Sequence, residues 1–236
     1  MKNKKIASLQ SFFLPWAGVF NQVYEVDKFF IADNLQFEKK SWINRNRIKN
    51  INGVFLWLTV PLKKHSHLAK INEILIDNTQ NWKIDHLKKI YMNYKHAPYF
   101  DLIYQGLKEI YDKHFDFLVE FNNELFFLIV KLLKIDVKKI DFESNYKLPN
   151  EKNSAIVELC KINNAKTYFS GAAAKCYLDY EKFIENDIEI ILQNCIDVEY
   201  KQMGNDWVPK LSIIDTLFML GPDKTLELIK KVNNME

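Results

Sequence analysis

Arginine is almost missing from this chain. Of its 33 basic residues only Arg45 and Arg47 are arginine, and the other 31 are lysine. Cysteine is scarce as well: Cys160, Cys176 and Cys195 are odd in number, widely spaced and without a C-x-x-C pair. That excludes a disulfide framework and a structural zinc site and fits reduced thiols in a cytoplasm. Excess charge of one sign is lacking, since 33 basic against 30 acidic residues leave +3. Such balance argues against a dedicated nucleic-acid or anionic-membrane binder. Long apolar runs are absent too: Leu125 to Leu133 is about half the length that spans a bilayer and is flanked by Glu124 and Lys134. The basic start Met1 to Lys5 leads into Ile6 to Trp16, which Gln10 interrupts and Pro15 breaks, so it reads as a first strand and not a signal peptide. No H-E-x-x-H, G-x-S-x-G or Walker spacing occurs.

What is present is enough apolar material for a sizeable core, 48% hydrophobic against 27% charged over 236 residues. Ile6 to Gln10 predicts a strand and Val19 to Lys28 a helix, with Leu-Pro-Trp-Ala-Gly between them. Phe29 to Asp33 predicts a second strand and Val54 to Val60 a third, with the arginine segment lying between them in a polar loop. Helical periodicity then takes over in Leu68 to Ile76, Trp82 to Tyr94, Pro98 to His114 and Phe117 to Leu133. Alternation resumes with a helix at Ala155 to Lys161, a strand at Thr167 to Phe169, a helix at Ala172 to Glu185 and a strand at Glu189 to Gln193. Helix from Ser212 to Asn233 closes the chain, punctuated by Gly221-Pro222. The reading is α/β: a mostly parallel sheet with flanking helices and a central helical insertion. Its parts are an N-terminal α/β part (1–65), the helical insertion (66–143) and a C-terminal α/β part completing the same domain (144–236).

Four blocks carry a resemblance. They are Gln10 to Phe20, with Leu14-Pro15-Trp16; Asp27 to Lys39 running into Trp42-Ile43-Asn44-Arg45-Asn46-Arg47 and Leu58 to Pro61; Tyr168 to Gly171 with Lys175, Tyr177 and Asp179; and Pro209 to Asp215. Together they resemble the WbqC-like family of bacterial proteins. The resemblance implies work on a sugar destined for O-antigen or another surface glycan, and some relatives are associated with adding glycyl or other acyl groups to amino sugars. The family's first motif usually reads His-Gln-Pro-Asn-Tyr-Leu-Pro-Trp; here Leu9, Ser11, Phe12 and Phe13 replace the histidine, proline, asparagine and tyrosine.

The residues themselves point to an anion site. Arg45 and Arg47, one residue apart, point the same way on an extended segment, and a guanidinium fork grips phosphate or carboxylate oxygens at two points. The alternative is an internal ion pair with Asp33 or Asp27. Asn44 and Asn46 would face the opposite side, or hold a turn through side-chain to backbone bonds. Asp33 ends a strand, where ligands of open α/β sheets sit, with Gln36, Lys39 and Trp42 following it; its alternative is a cap. Ser170-Gly171 ends a strand and opens a helix with Lys175 one turn on, a weak phosphate signal. His96, in the break Asn93 to Tyr99, is the histidine best suited to acid–base work. His65 and His67 read as a solvated loop, and His86 and His114 as surface or core-edge residues of helices. Asp215, three after Ser212, reads as part of a capping box.

The expected function is acyl or aminoacyl transfer to an amino sugar carried on a nucleotide. Asp33 or His96 would take the amine proton, and Trp16 or Trp42 would stack on sugar or base. Gln10, Gln36, Lys39, Asn44, Arg45, Arg47, Ser170, Gly171, Lys175 and Asp215 complete the substrate-binding set, with no metal and an acyl or aminoacyl donor. Asp33, Arg45 and Ser170 are expected to share one cleft. The partner is a nucleotide-linked sugar, with no nucleic acid and no membrane insertion; a homo-oligomer is compatible with the sequence. Two other classes stay open: an ATP-dependent adenylate-forming or nucleotidyltransferase-like enzyme, which the loss of loop histidines disfavours, and a non-catalytic nucleotide-sugar binding or scaffolding protein.

Overall fold

The first strand takes the middle of the sheet. In a computed structural model describing residues 3–233, Lys4–Gln10 (β1) is followed by the helix Ala17–Glu25 (α1) and the strand Lys28–Ala32 (β2), which returns parallel to β1. Met1 and Lys2 of the basic start lie outside the described residues. Next come Arg45–Lys49 (β3) and Phe55–Thr59 (β4), then the helices Trp82–Tyr94 (α2), Phe100–Tyr111 (α3) and Leu118–Leu132 (α4). The strand Ile140–Phe142 (β5), the helix Lys152–Ile162 (α5), the strand Ala165–Ser170 (β6), the helix Tyr180–Ile184 (α6), the strand Glu189–Leu192 (β7) and the helix Ile213–Lys231 (α7) complete the order. The five-stranded sheet runs β5-β2-β1-β6-β7, parallel throughout. The chain therefore winds one way from β1 and later returns to wind the other way. That opens a crevice at the carboxyl ends of β1 and β6, the switch point where open α/β sheets hold ligands.

Period-two alternation sorts the strand residues between two cores. Ala7, Phe29, Ile31 and Phe169 join the large core beneath α1, α2, α3, α4 and α7, whereas Ile6, Phe30 and Tyr168 join a smaller one beneath α5 and α6. Burying one such phenylalanine contributes roughly 1.5–3 kcal/mol. The helical insertion thus covers one face only.

Four expectations need correction. The third predicted strand does not enter the sheet: β4 pairs antiparallel with β3 in a separate hairpin, so the arginine segment is a strand and not a loop. Leu68 to Ile76 forms only a 3₁₀ turn at Ile71–Glu73, because its amides bond across to other segments (Ile71 N to Leu35 O, Asn72 N to Asp33 O, Ile76 N to Asp116 O). Ala172 to Glu185 splits into a 3₁₀ turn at Ala172–Cys176 and the short α6, whose start is fixed by the Asp179 carboxylate accepting from Lys182 N. Finally, β5 lies in a stretch read as helical; three residues are too few to show a period.

The expected break in the last helix is real. Gly221 adopts φ 75° inside α7, and a Cβ there would lie 2.5 Å from the Tyr99 ring, so both the backbone and the close approach require glycine.

Candidate functional site

The loop after β1 is held in an uncommon shape. Leu14, fully buried, sits at φ 44°, a left-handed conformation that costs a bulky residue about 1–2 kcal/mol. Asn46 compensates: its side chain, on the inner side of β3, donates to Phe13 O at 3.2 Å and Leu14 O at 2.7 Å. Asn44 similarly donates to Val60 O at 3.0 Å. The two asparagines therefore bond backbone from the side opposite the arginines, as alternation requires.

This loop delivers Trp16 to the start of α1. The indole lies across Gly18, where a Cβ would come 2.2 Å from the ring. Trp16 forms one wall of a cleft of about 400 Å³ at the β1–β6 crevice, and Lys210 Nζ stands 5.6 Å from its ring centroid. Trp42 and Asn46 border it from the hairpin side, Gln22 from α1, Gly171 from the end of β6, and Gln193 and Cys195 from the end of β7. Leu9, Phe12, Pro15 and Val19 supply apolar lining.

A buried amide network stiffens the floor. Gln193 Nε2 donates to Gly18 O at 2.9 Å and Asn21 Oδ1 at 2.6 Å, and its Oε1 accepts from Gln22 Nε2 at 3.2 Å and Cys195 Sγ at 3.3 Å. One acceptor is left over: Gln22 Oε1, buried beside the cleft, has no partner. An unspent buried acceptor is costly, and a ligand N–H or O–H would satisfy it.

The arginines stand outside this lining. On the outer face of the hairpin Trp42 and Trp57 stack at 5.5 Å, Arg45 lies 4.4 Å from the Trp57 ring, and Arg47 lies between Trp42 at 5.4 Å and Phe55 at 5.1 Å. Arg45 Nη2 donates to Lys40 O at 2.7 Å and Arg47 Nη2 to Pro209 O at 3.5 Å. The ion pairs with Asp33 or Asp27 do not form, because Asp27 accepts from Lys5 N and Asp33 accepts from Ser144 N and Oγ. Through Trp42 and Pro209, Arg47 reaches the rim of the cleft; Arg45 is further along the ladder.

Of the predicted site residues, Trp16, Trp42 and Gly171 line the cleft, Arg47 stands outside the lining against Trp42, and the rest lie elsewhere. Asp33, Arg45 and Ser170 do not share it. Ser170 is buried among Tyr168 and Tyr177 on the opposite face of the sheet, and a 3₁₀ turn of five residues replaces the helix expected after Gly171. Gln10 borders a small void behind Phe12. Gln36 donates to His67 O, and Lys39 and Lys175 are exposed away from the lining. His96 is exposed in the turn after α2 and borders none of it. Asp215 does not close a capping box: it is fully buried, accepting from Tyr94 and Tyr200 hydroxyls, and burial pushes its carboxyl above the usual range. His86 is not at the edge but in the core, between Tyr111 Oη and Thr59 O, and burial lowers its pKa to about 3.

Sequence reasoning missed Gln22, Gln193, Cys195 and Lys210. Lys210 stands in the fourth block and was readable there; the glutamines carry no signal until β7 is placed beside β6.

Fold and cleft define an α/β protein with a doubly wound parallel sheet and a ligand-sized crevice at its switch point. The chain belongs to the WbqC-like protein family, whose model matches residues 10–227. It is 35% identical over 224 residues to the uncharacterized protein Rv1507c of Mycobacterium tuberculosis (strain ATCC 25618 / H37Rv), covering 93% of this chain and 95% of that protein. No solved structure matches it. Two of the positions where the chain departs from the family's first motif, Leu9 and Phe12, line the cleft. Among the described residues no helix is long and apolar enough to cross a membrane, and no group of His, Cys, Asp and Glu is arranged to hold a metal ion.

Proposed function

We infer that the protein is a cytoplasmic enzyme of bacterial surface-glycan assembly that transfers an acyl or aminoacyl group to the amine of a nucleotide-linked amino sugar. The observation that carries this reading is the cleft: two indoles, Trp16 and Trp42, beside amide side chains, one of which keeps a free buried acceptor at Gln22 Oε1. Indole faces take the apolar faces of pyranose rings, and amides meet their hydroxyl and amine hydrogens. Lys210 and, at the rim, Arg47 are the cations suited to a diphosphate, beside the start of α1, whose N-cap has no side-chain bond.

Chemistry in such a cleft rests on orientation and fixed dipoles. The amine nitrogen bonds to the acyl carbonyl carbon, the bond from that carbon to the donor's leaving group breaks, and the amine proton leaves with that group. Asp33 and His96 are not positioned to take it, since neither borders the cleft.

A thermal-shift and calorimetric screen of UDP- and dTDP-linked amino sugars tests the reading, because a ligand that binds only the folded state raises its melting temperature. A stabilising compound whose effect disappears in Trp16→Ala supports it. A panel with no binder, or binding indifferent to Trp16, overturns it.

A further inference from the structure

The cleft is chemically two-sided. Phe12, Pro15 and Val19 border it on one side, and the same three residues border a hollow of about 10 Å³ behind, lined further by Phe29, Ile31 and Phe126 and by the polar Gln10, Ser11 and Asn123. On the cleft side the three make an apolar wall. Leu9 and the methyls of Ala172 and Ala173 add to the apolar lining. Among the described residues the only charged side chain in the lining is the cation Lys210, and no aspartate or glutamate borders the cleft.

That distribution separates the two kinds of group the reaction could carry. An aminoacyl group brings an ammonium, which needs a carboxylate or several acceptors once taken from water. Within its lining the cleft offers one free amide oxygen, an apolar wall and a like charge, Lys210, whose ion-pair partner Asp197, 4.0 Å away, lies outside the lining. An aliphatic acyl group needs only apolar contact. We propose that the group seated against Phe12, Pro15 and Val19 is an uncharged aliphatic acyl group, so that the protein is an N-acyltransferase drawing on an acyl thioester. This rests on the cleft being the reaction site, as inferred above. In the transfer the sugar nitrogen forms a bond to the acyl carbonyl carbon, the carbon–sulfur bond breaks, and the amine proton departs with the thiolate as a free thiol.

The wall can be probed without knowing the sugar. Butyramide and glycinamide present the two acyl groups as small amides, and each is titrated into the ¹⁵N-labelled full chain by NMR. Butyramide is expected to shift the amides of Phe12, Val19, Ala172 and Ala173 and to bind at least about tenfold more tightly than glycinamide, the discrimination an apolar pocket gives for small changes in its guest. Leu9→Asp, which puts a carboxylate in the lining, is expected to reverse the order. Phe12→Ala joins void and cleft and is expected to shift preference to hexanamide. If Leu9→Asp does not fold, the wild-type comparison and Phe12→Ala still decide. Glycinamide binding as tightly as butyramide, or neither amide shifting these residues, overturns the proposal. Butyramide at this wall in a protein that binds no nucleotide-linked amino sugar would sink the sugar reading alone; sugar binding with indifference to the two amides would sink this one alone.

Discussion

Two polar regions flank the carboxyl end of β1, and they handle their hydrogen-bonding groups in opposite ways. The cleft on the α1 side has amides and indoles, a single cation, and a buried acceptor without a partner. Across the sheet Ser8, Asp33, Glu143 and Ser144 form a group in which the carboxylates are spoken for: Ser8 donates to Glu143, and Ser144 donates to Asp33 through its amide at 3.1 Å and its hydroxyl at 2.7 Å. Lys152, at the start of α5, adds a neighbouring positive charge to Glu143. The acidic group has the residues that attract notice in a sequence, yet it closes on itself and ties β1, β2 and β5 together. The cleft has residues of little chemical notoriety, and it has the volume and the unspent valence. Saturated polar groups belong to the fold; unsaturated ones beside a cavity belong to a ligand.

The largest expected effect that tests this contrast is in the cleft. Trp16→Ala is expected to weaken binding of a stabilising nucleotide-linked amino sugar about ten- to a hundredfold by calorimetry, with little change in urea midpoint, as truncation of an aromatic anchor does. A variant that unfolds while ligand binding per folded molecule is unchanged would move Trp16 to the structural side.

Asp33→Ala is the converse. It leaves the Ser144 amide and hydroxyl without their acceptor, which is expected to cost about 1–3 kcal/mol in chemical denaturation while affinity stays within about threefold. Lost binding at unchanged stability would return Asp33 to the site.

The pH response of Glu143 sharpens the same division. Burial raises its carboxyl above the usual range, helped by the charge of Asp33 and opposed by the bond from Ser8 and the charge of Lys152. The folded state then holds this proton more tightly than the unfolded chain does. Stability from this group is therefore present below the unfolded pKa and falls as pH rises through the folded one. Glu143→Gln keeps an acceptor for Ser8 and is expected to remove that fall, which denaturation midpoints measured from pH 4 to 8 would detect. An identical pH profile in wild type and variant would show that Glu143 is not held this way.

The smallest effect is expected at Arg45. Stacked on Trp57 and bonded to Lys40 O, it does not border the cleft, so Arg45→Gln should change sugar affinity less than about threefold. Arg47→Gln, at the rim, should cost more, and by an amount that falls with added salt. Equal losses at both positions would make the whole ladder part of the binding surface.

Much of the fold was legible because period and punctuation are local. The strands β1, β2, β6 and β7, the helices α2 to α5 and the break at Gly221-Pro222 all follow from apolar spacing over a few residues. The hairpin was hidden because a strand reading "Arg-Asn-Arg-Ile-Lys" has no apolar alternation: Ile48 and Asn46 face inward, and aromatic rings from β4 and Trp42 lie against the guanidinium groups. Leu68 to Ile76 misled in the opposite sense, since isoleucines at helical spacing were buried by a 3₁₀ turn and cross-chain bonds.

The site divides in the same way. Sequence alone singled out Trp16, Trp42 and the Arg45–Arg47 pair by their rarity and their family blocks, and it determined the α/β class and the family. Only tertiary structure decided that Asp33 is bonded to Ser144, that Asp215 lies between two tyrosines, and that Gln22 and Gln193 meet beneath Gly18. The reason is physical. Rarity and periodicity are properties of neighbours along the chain, whereas whether a polar atom is spent or free depends on groups brought to it by the fold, in most of these contacts from more than a hundred positions away.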